Sequence, residues 1–167
     1  MKKIKLIAVG LYLGVLFQAC AILEPVDTKK YGSINDYKFA YIKPTESINS
    51  GVGVGFGNGG AGGFFMGGAN VNKSLNPSSI ISGVLIKKGL IIVDSIKDQD
   101  KTLIVNYGQG EKRNVIGGLG GYTLGVTIQM IKASTNEPVY ICSAEGQGET
   151  EVDDIREAIS RCLSELD

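Results

Sequence analysis

The chain has no histidine and no tryptophan, and only four prolines in 167 residues. Without histidine there is no Ser-His or Cys-His nucleophile pair and no imidazole ligand for a metal. An excess of one charge is also missing, because 17 basic residues balance 17 acidic ones. The basic residues form no large cluster, which argues against a nucleic-acid partner. Cysteine is scarce, with three in the chain. Neither metal nor cofactor is expected from this composition.

What is present begins with a leader. Lys2, Lys3 and Lys5 precede an apolar run from Leu6 to Phe17, which closes on Gln18-Ala19-Cys20. A charged start, a hydrophobic middle and a small residue before a cut is the layout of a secretory signal. Leu16-Phe17-Gln18-Ala19-Cys20 resembles a lipobox, the motif at which bacterial lipoproteins are acylated on cysteine and cleaved just before it. Phe17 stands where leucine is usual, and Ala19 is the expected small residue. Two other arrangements compete: an ordinary signal peptide cut elsewhere, and an uncleaved membrane helix. The stretch from Leu6 to Leu23 is eighteen residues with a polar break at Gln18, short of the roughly 20 a spanning helix needs. The resemblance implies a signal peptide over residues 1–19 and a lipid on Cys20. It also implies export to the outer membrane, since Ala21 rather than aspartate follows the cysteine. More than one acyl chain is needed for stable anchoring, each methylene contributing about 0.8 kcal/mol.

Removing the leader leaves 148 residues, enough for one domain. Three of the 17 basic residues go with it, so 14 face 17 acids, a net charge of −3. Lipid on Cys20 would leave Cys142 and Cys162. In an oxidising envelope such a pair can bridge, and two buried thiols are the other arrangement the sequence allows. Residues 20–36 are mixed and polar and read as the lipidated cysteine with its tether. The domain proper is expected over 37–167.

Within it, Tyr37 to Ile42 alternates like a strand and stops at Pro44. Ten of the eighteen residues from Gly51 to Gly68 are glycine. Gly55-Phe56-Gly57-Asn58-Gly59-Gly60 fits G-x-G-x-x-G but opens no helix, so it is no nucleotide loop. A flexible loop is expected there. The alternative is a hairpin turning at Asn58-Gly59 that enters a membrane as part of an oligomeric barrel. Asn76-Pro77 starts a helix that Gly89 ends, with Ile80, Ile81, Val84 and Leu85 as its apolar stripe. Leu90 to Val93 reads as a strand covered on both faces. Lys97 to Lys101 is a charged turn whose Asp98 and Asp100 are too few to hold a cation. Leu103 to Tyr107 is a strand, and 108–121 a second glycine-rich loop. Leu124, Val126, Ile128 and Met130 alternate along a clear strand. A turn at Ser134–Pro138 leads into Val139–Ala144. A final helix from about Glu151 presents Val152, Ile155, Ile159, Cys162, Leu163 and Leu166 on one face, with Asp153 and Asp154 in its first turn.

This order predicts an α+β two-layer sandwich, with a mixed, mostly antiparallel sheet of about five strands and two helices on one face. From Asn76 onward it resembles a broad group of small envelope lipoproteins. The group includes penicillin-binding-protein activators and curli-secretion-channel subunits. Their hairpin turn reads roughly Asp-Ala-x-Thr-Gly-Glu-x-Val-Trp. Ala133, Thr135, Glu137 and Val139 agree with it, while Lys132, Asn136 and Tyr140 depart from it. The resemblance implies a non-enzymatic binding or adaptor module for another envelope protein, held to the membrane by its lipid. Its alternative is an oligomeric, channel-like subunit inserting residues 51–68. The cluster Glu145, Glu149, Glu151, Asp153 and Asp154 could suggest sugar hydrolysis by paired carboxylates. A solvated helix start is the preferred account, and no catalytic residue is assigned.

Overall fold

The computed structural model describes residues 23–45, 47–51, 72–114 and 122–166. The leader, Cys20, all of the first glycine-rich stretch except Gly51, and Gly117–Gly121 lie outside them. In chain order come β1 (Asp27–Lys30), a 3-10 turn (Ile34–Asp36), β2 (Phe39–Ile42), β3 (Ile48–Gly51) and β4 (Asn72–Leu75). They are followed by α1 (Pro77–Lys87), β5 (Ile91–Ile92), β6 (Thr102–Asn114), β7 (Tyr122–Lys132), β8 (Pro138–Gly146) and α2 (Glu151–Ser164). The architecture is the expected α+β sandwich, with six strands in the main sheet. Their order is β1-β8-β7-β6-β2-β5, while β3 and β4 form a separate antiparallel pair. Only β2 is parallel to its neighbours, β5 and β6.

The core follows from period-two alternation meeting helical periodicity. Leu124, Val126, Ile128 and Met130 on β7 are each at most 1% exposed. Leu103 and Val105 on β6 and Tyr140, Cys142 and Ala144 on β8 join them beneath the helices. From α2 come Val152, Ile155, Ala158, Ile159, Cys162 and Leu163, all buried. Fully burying such an aliphatic side chain contributes about 1.5–3 kcal/mol. Gly146 lets α2 approach β8 closely, since a Cβ there would lie 1.8 Å from the Asp154 carbonyl oxygen.

The ends of α1 are those the sequence indicates. Asn76 Oδ1 accepts from the Ser78 N–H at 3.0 Å, Pro77 occupies the first turn, and Gly89 takes φ +90° just past the end. Thr150 accepts from the Asp153 N–H at 3.3 Å and donates its hydroxyl to that residue's carboxylate at 2.7 Å. In the β7–β8 turn Asn136 adopts φ 60°, a left-handed conformation asparagine tolerates.

Four expectations need correction. Residues 20–36 are not a tether throughout: Asp27–Lys30 pair with β8 as an edge strand, and Ile34 is 3% exposed. Asp-Thr-Lys-Lys has no apolar alternation, because an edge strand held by backbone bonds need bury little. The strand at Leu90–Val93 is not covered on both faces. It shrinks to Ile91–Ile92 at the other edge, with Ile91 48% exposed. Residues 108–114 are not loop but the end of β6, which passes a bulge between Gln109 and Lys112. Gly110 and Gly125 approach closely there, which glycine permits. Asp154 sits in the first turn as expected, yet it is buried rather than solvated.

Candidate functional site

The acidic cluster dissolves into separate structural roles. Glu145 projects from β8 and accepts from Arg113 Nε at 2.8 Å and Nη2 at 2.5 Å. That guanidinium holds the Glu145 carboxyl below the usual glutamate range. Glu151 is taken by Lys112 Nζ at 2.9 Å and Gln109 Nε2 at 3.2 Å, and the lysine lowers its pKa. Asp153 serves the α2 cap, and Arg156 lies 3.6 Å from it. Asp154 accepts from the Gly148 N–H, and burial pushes its carboxyl above the ordinary value of 3.8. Glu149 is exposed. A general acid needs a raised pKa and access to substrate. Asp154 has the first but is only 2% exposed. Among the described residues no group of three or more cysteine or carboxylate side chains could hold a metal. Asp98 accepts from the Lys101 N–H at 3.2 Å, as a turn residue does.

Cys142 on β8 and Cys162 on α2 are joined by a disulfide, with Cα atoms 5.6 Å apart. Both residues are fully buried. Tyr140 reinforces the same junction, its hydroxyl donating to the Cys162 carbonyl at 2.6 Å. The bridge ties the last helix to the sheet and is out of reach of solvent reagents in the folded state.

One end of the sandwich carries a network that joins distant parts of the chain. Arg113, already on Glu145, lies 3.7 Å from a Glu24 carboxylate oxygen. The Glu24 N–H donates to Glu145 Oε2 at 3.2 Å, and Arg161 Nη2 donates to the Glu24 carbonyl at 2.8 Å. Sequence reasoning missed Glu24, Arg113 and Arg161 because their partners are remote along the chain. The one local hint was the density of charge at 111–113.

The sheet face opposite the helices bears side chains from alternate positions. Tyr41, Ile104 and Ile131 form one cross-strand row, and Asn106, Gln129 and Ile141 the next. Asn106 donates to Gln129 at 3.2 Å. A third row is small and hydroxylated, with Gly108, Thr127 and Ser143, the last two in hydroxyl contact at 2.9 Å. The apolar members are half-buried, and Thr127 and Ser143 are exposed. An open hollow of about 280 Å³ at the Glu24 end is lined by Asp27, Gly125, Thr127, Ser143 and Glu145. A cleft of about 400 Å³ lies at the β5 edge between Phe39, Ile92, Asp94 and Asp98.

The two strands β3 and β4 pair Gly51 with Asn72, so residues 52–71 leave and return at adjacent positions. Comparison with protein-family models, with curated proteins and with solved structures finds no match for this chain.

Proposed function

We propose that this is a lipid-anchored protein of the bacterial envelope, held through Cys20 and acting as a non-enzymatic docking module for another envelope protein. The outer membrane is its proposed location, through the lipobox-like sequence and Ala21. The observation that carries the reading is the buried Cys142–Cys162 disulfide, a bond that persists in oxidising compartments outside the cytoplasm. The ion-paired state of Glu145 and Glu151 supports a binding rather than a catalytic role. The sheet face opposite α1 and α2, with Tyr41, Ile104, Ile131 and Ile141 beside hydroxyl and amide groups, is the surface proposed for the partner. Radiolabelled palmitate should enter the wild-type protein and not a Cys20→Ser variant. A photo-crosslinker at Gln129 should give a discrete protein adduct in intact cells that one at Ser160, on α2, does not. No label and no adduct would defeat the reading.

The second reading is an oligomeric, membrane-associated subunit that inserts 51–68. The β3–β4 pair favours it, because it is an antiparallel stem for whatever that segment forms. A homo-oligomer in mild detergent that is lost when 52–68 is deleted would support it, and a strict monomer would remove it.

A further inference from the structure

We propose that the Glu24 end of the sandwich rests against the phospholipid surface, and that the β7–β8 turn at the other end points away from it. The inference rests on acylation of Cys20. Its physical basis is where the folded domain takes hold of the chain. Glu24 is fixed at three points: its N–H to Glu145, its carbonyl to Arg161 and its carboxylate near Arg113. Three residues later Asp27 enters the β1–β8 ladder. The leash is therefore the four residue steps from Cys20 to Glu24, and these reach at most about 14 Å whatever path they take. A cysteine whose acyl chains sit in the hydrocarbon layer lies at the headgroups, so Glu24 is held within that distance of them.

The strand directions then orient the whole body. β1 runs from Asp27, opposite Ser143, to Lys30, opposite Tyr140. It therefore leads from the Glu24 end toward the turn at 133–137. The near end comprises the close of β8, the start of α2 and the last residues of β6. The far end is separated from it by the eleven residues of β7, about 35 Å of strand. At the near end Lys112 is paired with Glu151 and Arg113 with Glu145, while Arg161 donates to the Glu145 and Glu24 backbone carbonyls. The leash, and not attraction to anionic lipids, sets the position. The occupant of this end is a phospholipid surface of any headgroup charge. The sheet face opposite the helices then stands beside the membrane with its strands directed outward, toward a partner approaching from the side.

The absence of tryptophan makes the test clean. Single reporters Glu149→Trp at the near end and Ser134→Trp at the far end replace exposed residues. The full acylated protein is reconstituted in phosphatidylcholine vesicles carrying a headgroup-nitroxide lipid, and mass spectrometry establishes the acyl group on Cys20. The expected result is several-fold stronger quenching of the Glu149→Trp reporter, unchanged by salt or by added phosphatidylglycerol. A flexible Gly-Ser spacer inserted between Leu23 and Glu24 should abolish the difference. Equal quenching, or stronger quenching at position 134, in acylated protein overturns the orientation and leaves the lipoprotein reading intact. Quenching that survives the spacer overturns the leash as its cause. An N-terminus without lipid overturns both.

Discussion

Replacing Cys142 and Cys162 together by alanine should destabilise the domain by about 3 kcal/mol. The two residues are 20 apart in sequence. In the chain-entropy treatment a 15-residue loop corresponds to about 3 kcal/mol at 25 °C, and the value grows slowly with length. Both residues are fully buried, so shortening them also leaves a small void, which adds to the loss. For a domain near 150 residues, 3 kcal/mol corresponds to a fall in Tm of roughly 10 °C. Urea titration of the wild-type and double-alanine proteins measures the first quantity, and calorimetry the second. Burial adds a kinetic expectation. A thiol reagent reaches either sulfur only through opening of the β8–α2 junction, so reduction in native buffer should proceed at the rate of that opening. It should accelerate steeply in sub-denaturing urea. A double variant within about 1 kcal/mol of wild type, or reduction as fast as that of an exposed peptide disulfide, would refute this account of the junction.

Four further outcomes are expected. Gly146→Ala places a Cβ 1.8 Å from the Asp154 carbonyl and 2.7 Å from the Ala158 nitrogen. It should therefore cost about 3 kcal/mol, at the upper end of overpacking, in a urea melt. Asp154 has its folded-state pKa raised by burial, so the folded form takes up its proton more readily than the unfolded chain. Its contribution is favourable in acid and lost as pH rises from the unfolded pKa through the folded one. Stability of Asp154→Asn relative to wild type should thus increase from pH 3 to pH 7 on the order of that shift, measured by melts across the range. Glu145 and Glu151, with lowered pKa values, act oppositely. Their stabilisation is present above the ordinary glutamate range and lost as pH falls through their folded values, so a Glu145→Gln variant should show a shallower acid limb. Ile34→Ala should lower stability by about 2–4 kcal/mol, since Ile34 belongs to the core; a neutral outcome would restore residues 27–36 to the tether.

The layers of the fold were legible where one periodicity dominates. β7 and α2 could be drawn from sequence because every second residue of one, and one helical face of the other, are apolar. Thr150, the cap of α2, was not singled out, but the start of α1 could be drawn too, because Asn76 carries its capping chemistry locally. β1 could not, because Asp27 to Lys30 gain their place from β8, more than a hundred residues onward. The same reason hid the Glu24–Arg113–Glu145 network: ion pairs between remote residues leave no mark on local composition. The acidic run before α2 misled in the opposite sense. Its charges looked alike in sequence, but the fold gives them different partners and takes Asp154 out of water. Glycine near 108–110 read as loop because a strand that needs a bulge and a loop that needs freedom use the same residue.

The hydrogen bond from Arg161 to Glu24 spans 137 positions along the chain, and with the β1–β8 ladder it stitches the first described residues to the last helix. Such a domain cannot close until α2 has been delivered. A chain threaded head-first across a membrane would therefore remain open throughout its passage, and long-range pairing of this kind makes folding slow. Under the proposed acylation of Cys20, the modifying enzyme would meet the chain before Glu24 has gained its partners on Glu145 and Arg161. Completion of the fold would then fasten Glu24 to β8 and α2, four residues from the proposed lipid.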